Sequence, residues 1–252
     1  MTAPTGPGAC AQPAADQPWW VEAFGADYLD LYAHRDDASA AAEIAGLLPR
    51  LRTAPGPIMD AACGNGRHLA ALRAAGLTAV GFDYSADLLG VAAKRPQAQG
   101  RLARGDLRHP PFAPGFGAVL LLFTAFGYFD DAANAACFAG LARLLAPGGW
   151  LMVDLPDPDH VRATLVAESR RTTPAGHVVL ERRRIDGDHV VKTIQYGCGA
   201  KPRQWRECVR LYAPAEIEGL ARDAGLTVVD RWPGLHGPER DEHRSVTWCR
   251  KT

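Results

Sequence analysis

The 252-residue sequence predicts an α/β fold: a seven-stranded, mostly parallel sheet with one reversed C-terminal strand, plus an antiparallel β cap insertion. Two observations carry this prediction. Short apolar runs alternate with helical patterns between Pro57 and Asp154, as in a parallel sheet with helical crossovers. Near the C-terminus, residues 226–232 and 245–250 both have strand patterns, and the connection between them is too short for a helical crossover. The last two strands should therefore form an antiparallel hairpin.

The composition excludes several classes of protein. The hydrophobic content of 47% is enough for a large core, and no apolar run reaches the roughly 18 residues of a membrane-spanning helix. Lys+Arg and Asp+Glu both number 28, whereas nonspecific binding of nucleic acid needs a basic excess. We therefore expect neither a nucleic-acid partner nor a membrane partner.

The first 18 residues, MTAPTGPGACAQPAADQP, lack the basic segment and the apolar core of a signal peptide. Because they are rich in Ala, Pro and Gly, we expect residues 1–18 to be a disordered tail and the protein to be cytoplasmic. The six cysteines include no C-x-x-C pair, so we expect free thiols and no metal site.

Residues 19–56 should form a helical segment, which begins with the aromatic stretch WWVEAFGADYLDL and continues with a helix over 38–48. One interpretation is that the aromatic side chains only pack on the edge of the sheet. The alternative is a lid that places Tyr28, Tyr32, His34 and Arg35 over a ligand. In that case the guanidinium of Arg35 would suit a carboxylate.

Residues 57–155 should contain the centre of the sheet. The stretch PIMDAACGNGRHLAAL predicts a strand up to Asp60, a turn at Gly64 and Gly66, and a helix over 67–75. This order places backbone N–H groups at a helix N-terminus, and glycines let the backbone come close to a ligand. A ligand site is therefore expected at this turn.

Acidic residues follow the next two predicted strands. Asp83 follows the strand over 78–82 and precedes Tyr84, and Asp106 follows the strand over 101–105 and precedes Leu107. The C-terminal ends of parallel strands meet at one edge of a sheet, and an acid after the second strand can accept hydrogen bonds from ribose hydroxyls. The pattern at Asp83 therefore indicates a nucleoside ligand.

A wholly apolar strand over 119–123 leads into Thr124 and the segment TAFGYFDD. After it, the stretch LARLLAPGGWLMV predicts a helix, a Pro-Gly-Gly turn and a fifth strand that ends at Asp154. An apolar run of this kind is typical of a central parallel strand.

Residues 156–212 interrupt the alternation of strands and helices, and their pattern predicts an antiparallel β insertion. Strands over 178–185 and 189–196 flank an Asp186-Gly187 turn, and a third strand is predicted over 204–212. An insertion at this side of a parallel sheet lies over the ligand crevice, so we interpret it as a substrate-side cap or a dimer surface. Residues 213–252, with a helix over 214–224, should complete the core.

The run D-x-A-C-G-x-G, the acids after the second and third strands and the reversed last strand together resemble the class I S-adenosylmethionine-dependent methyltransferases of the small-molecule branch, over roughly residues 28–251. The resemblance implies a Rossmann-like fold with S-adenosylmethionine as the cofactor. The nearest rival is a dinucleotide-binding loop, but that loop requires G-x-G-x-x-G, and its last position here is Leu69.

The resemblance also implies cofactor contacts. Asp106 should lie beside the exocyclic amine of adenine, and the backbone N–H of Leu107 should meet the ring. The residues expected to contact the cofactor are Tyr28, Arg35, Asp60, Ala62, Gly64, Gly66, Asp83, Tyr84, Asp106, Leu107, Phe123 and Thr124.

The activity that follows is methyl transfer to N or O of a small metabolite, in the manner of bacterial secondary metabolism and antibiotic biosynthesis; a homodimer is left open. Two alternatives remain: another chemistry on the same cofactor, such as ring closure, and a nicotinamide-dependent oxidoreductase. For a proton acceptor, we favour Tyr128 in the segment after the fourth strand, with His160 and His236 as competitors. His68, on the first helix of the core, is expected to be exposed and structural.

Overall fold

The structure, a computed structural model, describes residues 18–197 and 202–252. The predicted disordered tail lies outside the described residues, apart from Pro18. Within the described part, the strands form one sheet of seven and one of four. In chain order, the strands are β1 (Ile58–Ala61), β2 (Ala79–Asp83), β3 (Leu102–Arg104), β4 (Phe116–Leu121), β5 (Leu145–Pro156), β6 (Glu168–Thr172), β7 (Val178–Asp186), β8 (His189–Gly197), β9 (Arg203–Arg210), β10 (Leu226–Trp232) and β11 (Arg244–Lys251).

The helices pack on the sheets, and several begin with the caps that the sequence supplies. Ser85 accepts a hydrogen bond from the N–H of Leu88 at 3.2 Å, and Asp36 accepts one from the N–H of Ser39 at 2.8 Å. The helices are α1 (Trp19–Ala23), α2 (Tyr28–Leu31), α3 (Asp37–Leu51), α4 (Arg67–Ala74), α5 (Ala86–Ala92), α6 (Asp131–Leu144), α7 (Pro158–Thr164) and α8 (Pro214–Asp223). None of the helices in the described ranges is long and apolar enough to cross a membrane.

The larger sheet confirms the predicted topology. Its strand order is β10-β11-β5-β4-β1-β2-β3, and β11 runs antiparallel to both of its neighbours. All residues of β1 and β4 are buried, because helices cover both faces of the parallel part. This arrangement brings the C-terminal ends of β1, β2 and β4 to one edge of the sheet.

The β5 strand differs from the prediction of a helix, a separate turn and a strand. It begins at Leu145, directly after α6, and includes Pro147, Gly148 and Gly149. Its pairing with β4 jumps from Leu145 to Trp150, and Gly148 has a φ of 74°. The Pro-Gly-Gly run is therefore a bulge within a strand, not a turn before one.

The predicted antiparallel insertion is present as the β6-β7-β8-β9 sheet, which we call the cap sheet. Asp186 pairs with His189, so the turn residues are Gly187 and Asp188, one position later than predicted. The β6 strand was not predicted, because its stretch ESRRT is an edge strand with no apolar alternation. The α7 helix was not predicted either, although Asp157 caps that helix and Pro158 begins it.

The cap sheet packs on the N-terminal helices. A cluster of buried residues joins Trp19 and Leu31 to Val179, Ile194 and Trp205 of the cap sheet. Two other clusters fill the two faces of the larger sheet. The segment containing α1 and α2 is therefore enclosed between the cap sheet and the C-terminal edge of the core.

Candidate functional site

The turn between β1 and α4 forms the floor of a cavity. Ala62, Gly64 and Gly66 have φ values of 59°, 53° and 73°, in the region that favours glycine. At Gly66 a side chain is also excluded, because an added Cβ would lie 2.9 Å from the Cβ of Ala92. The backbone can therefore turn sharply into α4 and face the cavity.

The cavity has a volume of about 340 Å³, a common size for a small-molecule site. Its walls come from the C-terminal ends of β1, β2 and β4, from the start of α4 and from the N-terminal helices. The predicted residues that line it are Tyr28, Arg35, Asp60, Ala62, Gly64, Asp83, Tyr84, Asp106, Leu107, Phe123 and Tyr128. Gly66 and Thr124 support the wall without lining it.

Asp83, at the end of β2, faces the glycine turn. Its Oδ2 accepts a hydrogen bond from the N–H of Gly64 at 2.8 Å, and its Oδ1 accepts one from the N–H of Ser85 at 2.7 Å. Burial raises the pKa of this carboxyl, and the backbone hydrogen bonds oppose that rise. Each oxygen keeps a second lone pair, so the carboxylate can still accept hydrogen bonds from a ligand.

Asp60, at the end of β1, is buried, and its Oδ2 has no hydrogen-bond partner among the described residues. Burial, together with the nearby charge of Asp83, raises the pKa of the Asp60 carboxyl to about 7. An unpaired buried acceptor is costly unless a ligand satisfies it. This oxygen is therefore suited to a positively charged donor in the cavity.

Asp106 follows β3 and lines the cavity beside Leu107. The guanidinium of Arg108 forms an ion pair with its carboxylate, with Nη2 2.6 Å from Oδ2. This pairing lowers the pKa of Asp106, so the acid stays ionised. The Arg108 guanidinium also lies 5.0 Å from the centre of the Phe129 ring.

Phe123 and Thr124 follow β4 in a strained backbone conformation, with φ values of 54° and 62°. Asp154 of β5 holds them in place, because its Oδ2 accepts from the N–H of Phe123 at 2.7 Å and its backbone oxygen accepts from the N–H of Thr124 at 3.1 Å. Arg244 bonds both Asp154 and the hydroxyl of Thr124. Thr124 therefore anchors this loop, and Phe123 faces the cavity.

The N-terminal segment supplies a cation and several aromatic rings. The Nη1 of Arg35 donates to the hydroxyl of Tyr28 at 3.0 Å, and its guanidinium lies 4.2 Å from the centre of the Tyr32 ring. Within the described ranges, Arg35 makes no ion pair with an acid. It is thus available to an anionic group of a ligand.

Tyr128 lines the cavity and is packed among aromatic rings of α1 and the residues after it. Its ring centre lies 5.0 Å from that of Trp19 and 5.8 Å from that of Phe24. Burial raises the pKa of the Tyr128 hydroxyl well above its usual value of 10, and Tyr28 and Glu207 add to this rise. The hydroxyl is therefore neutral at physiological pH.

The structure does not bring His160 or His236 to the cavity. His160 stacks on His243 with ring centres 3.8 Å apart, and His236 bonds Glu242 and packs against Gly46 of α3. His160 lies in α7, and His236 lies in the loop between β10 and β11. Neither imidazole is placed to contact a ligand in the cavity.

Arg67 and His68 also line the cavity, although neither was predicted as a site residue. His68 is buried, with its Nε2 2.6 Å from Oε2 of Glu43, and so the expectation of an exposed helix face was wrong. A signal was available, because both residues occupy the first turn of α4, directly after Gly66. Residues at that place face the ligand edge of the sheet.

The cysteines do not form a metal site in the part of the chain that the structure describes, where no group of three or more His, Cys, Asp or Glu side chains could hold a metal ion. Cys63, Cys137 and Cys249 are buried free thiols. The expectation of free thiols was wrong for Cys208, which is disulfide-bonded. Cys10 and Cys198 lie outside the described residues.

The polar groups around the cavity fit the chemistry of S-adenosylmethionine. Its ammonium group needs an acceptor, and the Oδ2 of Asp60 is unpaired among the described residues. Its carboxylate needs a cation, and Arg35 has no acid partner in the same ranges. Its ribose hydroxyls need a carboxylate with open lone pairs, which Asp83 supplies.

Comparisons with known proteins agree with this chemistry. A family described as "Methyltransferase domain" matches residues 58–149. The chain is 30% identical over 217 residues to the dTDP-3-amino-3,6-dideoxy-alpha-D-glucopyranose N,N-dimethyltransferase of Streptomyces fradiae, and the match covers 81% of this chain and 79% of that protein.

Solved structures show the same fold. The CcbJ methyltransferase from Streptomyces caelestis is 21% identical, with a TM-score of 0.74 over 91% of this chain and 98% of that one. The SAM-bound CalS10, an amino pentose methyltransferase from Micromonospora echinaspora, is 23% identical, with a TM-score of 0.66 over 89% and 96% of the two chains. The chain belongs to the class I S-adenosylmethionine-dependent methyltransferases.

Proposed function

We propose that this methyltransferase methylates the amino group of a small, sugar-like acceptor in bacterial secondary metabolism. The observation that carries the proposal is the 30% identity, over most of both chains, to an enzyme that dimethylates the amino group of a nucleotide-linked amino sugar. Membership of the family favours methyl transfer over ring closure and over hydride transfer. The absence of a nucleic-acid partner and the cytoplasmic location remain predictions, and the possibility of a homodimer stays open.

The proposed cofactor contacts follow the geometry of the cavity. Asp83 would accept the ribose hydroxyls, Asp60 would accept from the ammonium group, and Arg35 would bind the carboxylate. We propose the remaining contacts from the positions of the residues around the cavity. Asp106 and Leu107 would contact the adenine, and the Ala62–Gly64 turn would contact the ribose. Tyr28, Tyr84 and Phe123 would form walls. Gly66 and Thr124 are proposed as supports of these walls.

Aromatic side chains of the N-terminal segment would form the acceptor side of the cavity. Trp20, Phe24, Tyr28 and Tyr32 line it, together with Tyr128 from the segment after β4. The apolar C–H faces of a sugar ring pack well on aromatic rings, and such rings also attract a cationic sulfonium. We propose that residues 19–56 act as the lid and that the cap sheet supports that lid from outside.

Methyl transfer from S-adenosylmethionine requires little acid–base catalysis by the protein. When bound, S-adenosylmethionine supplies a methyl group that its sulfonium charge already activates. The cavity walls have to align the acceptor nitrogen with that methyl group and exclude water. The neutral hydroxyl of Tyr128 can orient an amine by accepting a hydrogen bond, and neither His160 nor His236 is proposed as a base.

The proposal is tested with a panel of acceptors. The purified enzyme is incubated with S-adenosylmethionine and either a dTDP-linked 3-amino sugar or the same compound with a hydroxyl in place of the amine. We expect S-adenosylhomocysteine release and a product heavier by one or two methyl groups with the amine only. Methylation of the hydroxyl compound alone would contradict the proposal, and so would release of methylthioadenosine.

A further inference from the structure

A buried ionic cluster stands behind one wall of the cavity. Glu43 of α3 has its Oε2 3.2 Å from Nη1 of Arg67 and 2.6 Å from Nε2 of His68, both on α4. All three side chains are more than nine-tenths buried. Arg67 and His68 line the cavity and Glu43 does not, so Glu43 can reach a ligand only through its two partners.

The Glu43 carboxylate determines which ring nitrogen of His68 carries the proton. An ionised carboxylate can only accept, so the Nε2 of His68 carries the proton and Nδ1 keeps its lone pair. Burial lowers the pKa of His68, although Glu43 opposes this effect, and the ring therefore stays neutral. Nδ1 has no hydrogen-bond partner among the described residues, which leaves an acceptor at the cavity wall.

Arg67 and His68, the two partners of Glu43, also contact the ring of Phe123. The His68 ring stacks on the Phe123 ring with centres 5.4 Å apart, and the Arg67 guanidinium lies 4.4 Å from the same ring centre. The backbone of Phe123 is strained, so it needs such support to hold its place. Glu43 thus fixes three wall groups at once.

The charges around this wall match one end of the cofactor. Glu43 compensates the charge of Arg67, whereas Arg35 lacks an acid partner in the described ranges. The wall therefore presents one uncompensated cation and two acceptors, the Oδ2 of Asp60 and the Nδ1 of His68. An α-amino acid zwitterion, with its carboxylate and its ammonium, has the complementary groups.

We propose that Glu43 is a positioning residue for the amino-acid end of the cofactor, acting through His68 and Arg67. The adenosine end does not depend on it, because Asp83 at the end of β2 and Asp106 after β3 make no hydrogen bond or ion pair with Glu43. This role concerns cofactor binding and does not rest on the identity of the methyl acceptor.

The test compares two ligands by calorimetry. S-adenosylhomocysteine carries the amino-acid end, and methylthioadenosine lacks it. In Glu43→Gln, which keeps the shape and removes the charge, we expect affinity for S-adenosylhomocysteine to fall about tenfold or more. Affinity for methylthioadenosine should stay within about twofold of the parent, since the adenosine contacts are unchanged.

Two control variants are compared with Glu43→Gln. Glu181→Gln removes a cap-sheet acid of matched burial that also pairs with arginine, and it should alter neither affinity. Asp83→Ala should weaken both ligands. If Glu43→Gln does not fold, His68→Ala makes the same comparison. An equal loss for the two ligands, or no loss for either, would overturn the proposal.

Discussion

The Asp60 carboxyl of the cavity ionises within the physiological range. Burial and Asp83 raise its pKa to about 7 from the ordinary 3.8. Because the folded state holds this proton more tightly than the unfolded chain does, the free energy of unfolding of the cofactor-free protein should fall as pH rises from about 4 to about 7. In Asp60→Asn this fall should be reduced, as urea titrations at several pH values would show.

The same titration should appear in cofactor binding. The ionised carboxylate is the better acceptor for an ammonium group, and its population rises about tenfold between pH 6 and pH 8 for a pKa of about 7. We expect a similar rise in affinity for S-adenosylhomocysteine, measured by calorimetry, and a flatter profile in Asp60→Asn. An unchanged profile in that variant would assign the effect to another group.

Tyr128 is expected to shape the cavity and not to take a proton. Its raised pKa makes the phenolate inaccessible near neutral pH, which weakens the proton-transfer role that the sequence favoured. Tyr128→Phe keeps the ring and removes the hydroxyl, so turnover should fall by less than about tenfold while affinity for S-adenosylhomocysteine stays the same. A loss of about a hundredfold in kcat alone would restore Tyr128 as a proton acceptor.

At the scale of elements, α2 is tied more firmly to the cap sheet than to the core. The Oδ2 of Asp30 accepts from Thr173 at 2.6 Å, from Tyr196 at 2.8 Å and lies 2.9 Å from Nδ1 of His177. The Nζ of Lys192 also donates to the hydroxyl of Tyr32 at 2.8 Å. The cap sheet thus holds the helix that carries Tyr28 over the cavity.

We expect Asp30→Asn to loosen this helix without disturbing the core. The variant removes the charge that three partners share, so backbone amides of α2 should exchange hydrogen faster, and dissociation of S-adenosylhomocysteine should accelerate. Glu168→Gln is the control, because it breaks an exposed ion pair with Arg182 on the same cap sheet. If the backbone amides of α2 exchange hydrogen at the same rate in both variants, the contacts of Asp30 do not hold this helix in place.

At the scale of the whole molecule, the cofactor should stabilise the fold, because the cavity joins the core, the N-terminal segment and the cap-bound helix. A ligand at a hundred times its Kd adds about 2.7 kcal/mol to the free energy of unfolding. For a chain of this size, that corresponds to a rise in Tm of roughly 5–10 °C. We expect this rise with S-adenosylhomocysteine in a thermal melt and none with NAD. An equal shift with NAD would contradict the assigned cofactor.

The fold class, the strand, turn and helix around Gly64 and Gly66, and most of the cavity residues follow from local patterns in the sequence. Strand and helix periods are local patterns, and parallel strands must bring their C-terminal ends to one edge. This geometry is why the order of residues along the chain is enough to place Asp60, Asp83 and Asp106 together. Eleven of the predicted site residues line the same cavity for this reason.

Which histidine lines the cavity and what holds α2 in place depend on contacts between distant parts of the chain. Glu43 and His68 are 25 positions apart, and Tyr32 and Lys192 are 160 apart. No periodic pattern links such pairs, because their contact depends on how whole elements pack against one another. The same packing sets the positions of α7, which carries His160, and of the loop that carries His236, and sequence position alone could not reveal that neither histidine lines the cavity.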